Sequence, residues 1–294
     1  MQKFIITCVV AGLIAGILVG GFHNLFTVPV MERAIMLEEE RSAGDPLPTA
    51  EELAAETPVS LGVQRIGMAV GTTIYGAILG LVFAGGYALL RRAMPEWHII
   101  ALAAVVGAVG FLAISVFPFI KYPLNPPGVG DGETLLFRQL MQTLFFILSG
   151  SGVAGLLIGI RKIRQSGPAG THFGTYALAI ASYVVFALVI IVATPGNPDP
   201  VPVPIDLLEL FRTLTMIGQF LLWALTAAGV ALAFLWQARS QQGSAGDRSK
   251  GRSRYAIPGT HAVYEGAGLP GRWPQDRYDP CFRAISAGCI PGGS

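Results

Sequence analysis

Six stretches of this sequence are apolar for about the length that crosses a bilayer, roughly 20 residues each: Phe4–Phe26, Ile66–Leu90, Trp97–Ile120, Leu135–Ile160, Phe173–Thr194 and Leu207–Trp236. No Asp, Glu, Lys or Arg sits in the middle of any of them. In hydrocarbon every backbone polar group must be satisfied within the protein, so a chain of this kind spans as helices or as a closed barrel. None of the six alternates apolar and polar residues, as the strands of a transmembrane barrel do. The expected fold is therefore an all-α membrane protein with six transmembrane helices. Composition agrees. Only 13% of the residues are charged against 52% hydrophobic, whereas a soluble domain carries about 25% charge. The first run is too long for a signal peptide and lacks its small-residue cleavage pattern, so it reads as a retained helix.

The placement of Lys and Arg orients the spans. Lys3, Arg91-Arg92, the Arg161–Arg164 cluster and Arg239 with the bases beyond it all fall on one side if there are six spans. That side is expected to be cytoplasmic, with both termini inside. The opposite side holds most of the acids, in the stretch from Glu32 to Glu56 and in two Pro-rich loops, 118–134 and 195–206. Met31–Arg41 can extend the first helix past the membrane, and Thr49 with Glu52 resembles a second helix start. Clustered negative charge raises the local cation concentration. Residues 1–238 form the expected membrane domain. Residues 239–294, rich in Ser, Gly and Arg, read as a low-complexity, disordered cytoplasmic tail.

Arg65, Arg138 and Arg212 stand at the outer starts of the even-numbered helices, 73 and 74 residues apart. Each precedes a run with polar members: Thr72, Thr73 and Tyr75; Gln139, Gln142 and Ser149; Thr213, Thr215 and Gln219. This spacing suggests three helical hairpins related by a parallel internal repeat. An Arg at a helix N-terminus opposes the dipole unless it is paired, so each is expected to meet an acid or a lipid phosphate, or the three converge on an outer gate. Small residues four apart mark close helix contacts in lipid; they occur at Gly12, Gly16 and Gly20, at Gly67 and Gly71, at Gly76 and Gly80, and at Gly155 and Gly159.

Chemistry-bearing patterns are few. No Walker A sequence, nucleophile elbow or paired carboxylate pattern is present, so an enzyme is not expected. Cys8, Cys281 and Cys289 give neither metal spacing nor a disulfide framework. His98 and His172 lie near the inner surface and His23 near the outer end of the first helix, with no His-x3-His pair. No cofactor and no nucleic-acid partner is expected; the lipid bilayer is the evident one.

The loop 118–134 is the most distinctive stretch. Four prolines and three glycines exclude a continuous helix there, and 17 residues is long for a mere connection. Its Lys121-Tyr-Pro-Leu-Asn-Pro-Pro-Gly-Val-Gly-Asp-Gly-Glu-Thr134 resembles the signature of the CbtA-type cobalt transporter subunit family. Arg138 follows it, as in that family. The loop from Thr194 to Asp206, the pair Phe211-Arg212, Trp223, and a Gly-rich first helix ending at Val28-Pro29 are also similar, so the resemblance covers about residues 1–238. It implies a prokaryotic inner-membrane protein that moves cobalt for corrinoid synthesis, with a small His-containing partner subunit. On that reading Co²⁺ is cargo. Asn125, Asp131 and Glu133 offer oxygen ligands and His23 the nearest imidazole, while Arg65, Lys121, Arg138 and Arg212 shape or clamp the outer helix ends. Two other readings stay open: a non-transporting membrane scaffold, and a carrier of anions or small solutes that uses the three arginines.

Overall fold

The computed structural model describes residues 2–42, 60–126, 134–166, 173–197, 201 and 203–253. All regular structure among them is helical: α1 (Gln2–Phe22), α2 (Val28–Ser42), α3 (Leu61–Ala93), α4 (Ile99–Gly110), α5 (Phe117–Lys121), α6 (Leu135–Gln165), α7 (Phe173–Ala193) and α8 (Ile205–Ser253). Two wider π-helical segments, His23–Thr27 and Phe111–Val116, join α1 to α2 and α4 to α5. Six continuous helices result, each long and apolar enough to cross a membrane: Gln2–Arg41, Gly62–Ala93, Ile99–Lys121, Leu135–Gln165, Gly174–Ala193 and Ile205–Ser240. Met31–Arg41 continues the first helix, as its charge pattern allows. The last helix runs on to Ser253, past residue 239 where the tail is expected to begin. Gln237, Ala238, Arg239, Gln241 and Gln242 are good helix formers and carry the helix past residue 239. Residues 254–294, the second helix start expected at Thr49–Glu52, His172, Asp131 and Glu133 lie outside the described residues.

Both π segments have a cause in the sequence. Each ends two residues before a proline, Pro29 and Pro118. A proline has no N–H for the carbonyl four residues back, and its ring crowds that carbonyl. The helix widens locally ahead of the ring, which is where π turns occur and where helices bend.

The core joins four of the six spans. Cys8 and Ala15 of α1, Phe83 of α3, Leu102 of α4, and Trp223 and Val230 of α8 are buried in one cluster. Burial is uneven: 44% of the most apolar window of the first span and 39% of that of the last are buried inside the protein, against 11% for α6 and 6% for α7. The first and last spans therefore form the centre, and the α6–α7 hairpin lies at the margin. The tightest crossing is α1 on α3. A β-carbon built at Gly16 would come within 2.7 Å of the Thr72 carbonyl oxygen, and one at Gly80 within 2.9 Å of the Val9 Cα. Backbone meets backbone there, which only glycine allows. Gly67, Gly71, Gly155 and Gly159, which have the same four-residue spacing, meet nothing within 4 Å.

At the end of the bundle where α3 finishes, Pro95 stops the helix and Glu96 bridges to Arg164 of α6 at 2.7 Å. That hydrogen bond holds the Glu96 carboxyl below its ordinary value. A carboxylate depressed in the fold contributes stability above its unfolded value, about 4.3, and loses it as pH falls through the folded one. Glu96 is nearly half exposed, so the contribution stays under about 1 kcal/mol. Thermal denaturation in detergent should put the wild type ahead of Glu96→Gln by a small constant margin above about pH 5.5, closing only below about pH 4.3.

Candidate functional site

At the opposite end, polar side chains from four segments meet inside the bundle. Gln219 of α8 is the hub. Its Oε1 accepts hydrogen bonds from Ser115 Oγ of the second π segment at 3.0 Å and from Tyr75 Oη of α3 at 3.4 Å. Trp223, one turn further along α8, donates its Nε1–H to Ser115 Oγ at 3.2 Å. Tyr75, Ser115 and Gln219 line a cavity of about 230 Å³, with Gln142 of α6, Met216 of α8 and Tyr122 completing the polar and soft part of its wall. At about 30 Å³ per molecule, that is room for roughly seven waters. In hydrocarbon such groups stay satisfied only by one another or by a guest.

The loop after α5 roofs this cavity; Tyr122 and Leu124 are part of its lining. Two clamps hold the roof. Tyr122 donates its hydroxyl to the Pro195 carbonyl at the end of α7, with its ring edge-on to Phe145 of α6 at 5.3 Å. Burial pushes the Tyr122 phenol above its ordinary value, so it remains a neutral donor. Arg212 of α8 donates to the Leu124 carbonyl at 3.3 Å and to Asn125 Oδ1 at 2.8 Å. Beside the roof, Val30 and Ala34 of α2 pack on Leu207 and Phe211 of α8.

The residues singled out in the sequence are distributed as follows. Asn125 is in the roof, with its carbonyl oxygen engaged by Arg212. His23 is buried, its Nδ1 2.8 Å from Thr27 Oγ1, and its ring packs on α8 where Gly218 leaves room for it. Six residues of α8, about 9 Å of helix, separate the contact points of Asn125 and His23. Arg65 pairs with Glu32 of α2 at 2.8 Å, so Arg65 and Arg212 serve different partners. Lys121 closes α5, and Arg138 lies in the first turns of α6. His98 caps α4, accepting from Ile100 N at 3.3 Å. Among the described residues no three His, Cys, Asp or Glu side chains gather as a metal site would require. Ser115, Tyr122 and Met216 are absent from the sequence-based candidates, and Tyr75, Gln142 and Gln219 figure there only as polar members of apolar runs.

A family model described as "Probable cobalt transporter subunit (CbtA)" matches residues 1–237. The chain belongs to the CbtA family. No curated protein and no solved structure matches it. CbtA chains are described as transporter subunits, not enzymes, and this one is a multi-pass membrane protein of a cobalt-transport family with six membrane-length helices. The CbtA match ends beside Trp236, so it contains the whole roofed pocket. Within this CbtA bundle a second cavity, about 330 Å³ and lined almost wholly by apolar side chains of α3, α4 and α6, lies against the first. Ile114 contributes to both walls, and Trp223 stands between them, bonded to Ser115 on one side and lining the apolar chamber on the other. Its indole rests on Gly110, where a β-carbon would collide with the six-membered ring.

Proposed function

We propose that this chain is the membrane permease subunit of an uptake system for a divalent transition metal, cobalt, in a prokaryotic inner membrane. The observation that carries this reading is the roofed polar pocket inside the bundle of a chain whose family is described as a probable cobalt transporter subunit. The acidic extension of the first helix, with Glu39 and Glu40 exposed, collects cations at the same end of the bundle. Asn125 and His23 supply donors on the way to the pocket, Asp131 and Glu133 are further oxygen ligands that the sequence offers, and Arg65, Lys121, Arg138 and Arg212 fix the helix ends. The basic residues at the other end put that end, and both termini, in the cytoplasm. A small His-containing partner subunit completes the uptake system.

Deleting the gene should remove most of the cobalt that cells accumulate from limiting medium, measured as cell-associated metal against a complemented strain. Undiminished accumulation in the deletion strain refutes the permease reading and favours the scaffold.

A further inference from the structure

We propose that the roofed pocket takes its metal as an aqua ion, gripping the shell of coordinated water and not the metal itself. The inference rests on the permease reading for the identity of the metal; the pocket's chemistry supplies the rest. A first-row divalent metal bound directly takes imidazole, thiolate or carboxylate ligands. None of these lines the cavity. Its polar wall is made of neutral groups, Tyr75, Ser115, Tyr122, Gln142 and Gln219, with the Met216 thioether as the one soft atom. Neutral hydroxyls and carboxamides in a low-dielectric interior do not offset the large cost of stripping water from a divalent ion. They do suit its hydrated form. Water coordinated to a cation points its hydrogens outward and needs acceptors, and hydroxyl and carboxamide oxygens accept.

Size and internal order agree. About 230 Å³ holds roughly seven waters at about 30 Å³ each, and an octahedral aqua ion brings six. Without a guest, the network closes on itself: the hydroxyls of Tyr75 and Ser115 both address Gln219 Oε1, and the Trp223 N–H addresses Ser115. Neutral acceptors also hold a cation loosely enough to let it leave, as conduction requires.

The test uses hexaamminecobalt(III), an octahedral ion whose six ligands do not exchange and whose N–H groups point outward as those of the aqua ion do. Purified full-length protein in detergent is loaded with radioactive Co²⁺ and challenged with the ammine complex by equilibrium dialysis. The ammine complex should displace Co²⁺, and Gln142→Leu and Gln219→Leu should each weaken both ions in parallel, about tenfold. Gln219→Glu, which keeps the shape and adds a charge, should strengthen both, so a failure of the Leu variants to fold does not decide the matter. Absence of any Co²⁺ binding overturns the proposal. So does Co²⁺ that the ammine complex cannot displace, or Co²⁺ affinity that falls in His23→Ala and ignores the glutamine variants. Uptake into proteoliposomes is scored separately: a site that binds both ions in a protein that moves no cobalt keeps the proposal and removes the permease reading.

Discussion

Gly76→Val should leave little assembled bundle. A β-carbon at Gly76 would overlap the Gly12 carbonyl oxygen and lie 2.8 Å from the Gly16 Cα. Both are backbone atoms of α1, so no rotamer change relieves the clash and the two helices must separate. Overpacking a core that can adjust costs about 1–3 kcal/mol; here the parting helices also give up dispersion contacts along the crossing, the main attraction between helices in lipid. We expect a loss of about 3 kcal/mol or more, seen as aggregated protein on size exclusion in detergent and as a melting temperature lowered by roughly 10 °C in whatever remains. Gly155→Val is the matched control. Gly155 has the same spacing to its partner glycine but meets nothing within 4 Å, so its variant should behave as wild type. Equal behaviour of the two variants would contradict the α1–α3 crossing described above.

Arg212→Ala should cut initial cobalt uptake about tenfold at unchanged protein level. Its guanidinium holds the roof of the pocket at two points, the Leu124 carbonyl and Asn125 Oδ1. Hydrogen bonds to a charged group contribute about 1.5–3 kcal/mol, and a tenfold change corresponds to about 1.4 kcal/mol. Arg212→Lys should rescue only part of the rate, because a single ammonium does not reproduce a fork that reaches two acceptors. Asn125→Ala should do less harm than Arg212→Ala, since the Leu124 carbonyl still accepts. Proteoliposome uptake of radioactive cobalt, normalised to reconstituted protein, measures all three. Wild-type rates in Arg212→Ala would show that the roof is not a working part of the transporter.

The spans were legible in the sequence because membrane length and freedom from charge are properties of single segments. The family was legible in one loop, whose prolines and glycines are unusual enough to identify it. The pocket was not, because it is assembled from distant positions: Tyr75 and Gln219 are bonded across 144 residues, and Ser115 and Gln219 across 104. Nothing in the neighbourhood of Gln219 announces Tyr75. The glycine spacings show a different shortfall. They identify a small face on a helix but not whether another helix occupies it, so Gly76 and Gly155 look equivalent until their neighbours are known. The π segments left a trace that could have been followed: Pro29 and Pro118 sit where helices continue, and a proline inside a continuing helix requires a local departure from the α pattern. The second such departure carries Ser115, and the first carries His23.

The central place of the first and last spans also bears on how the chain is made. α1 leaves the ribosome first and finds α3 next in line. The rest of its contact surface waits for α8. Gly229, which abuts Ala11, and Gly218, on which His23 rests, both belong to the span synthesised last. A nascent chain therefore carries an unfinished groove on its first helix while the intervening spans are threaded into the membrane. A product truncated before α8 leaves that groove on the first span uncovered.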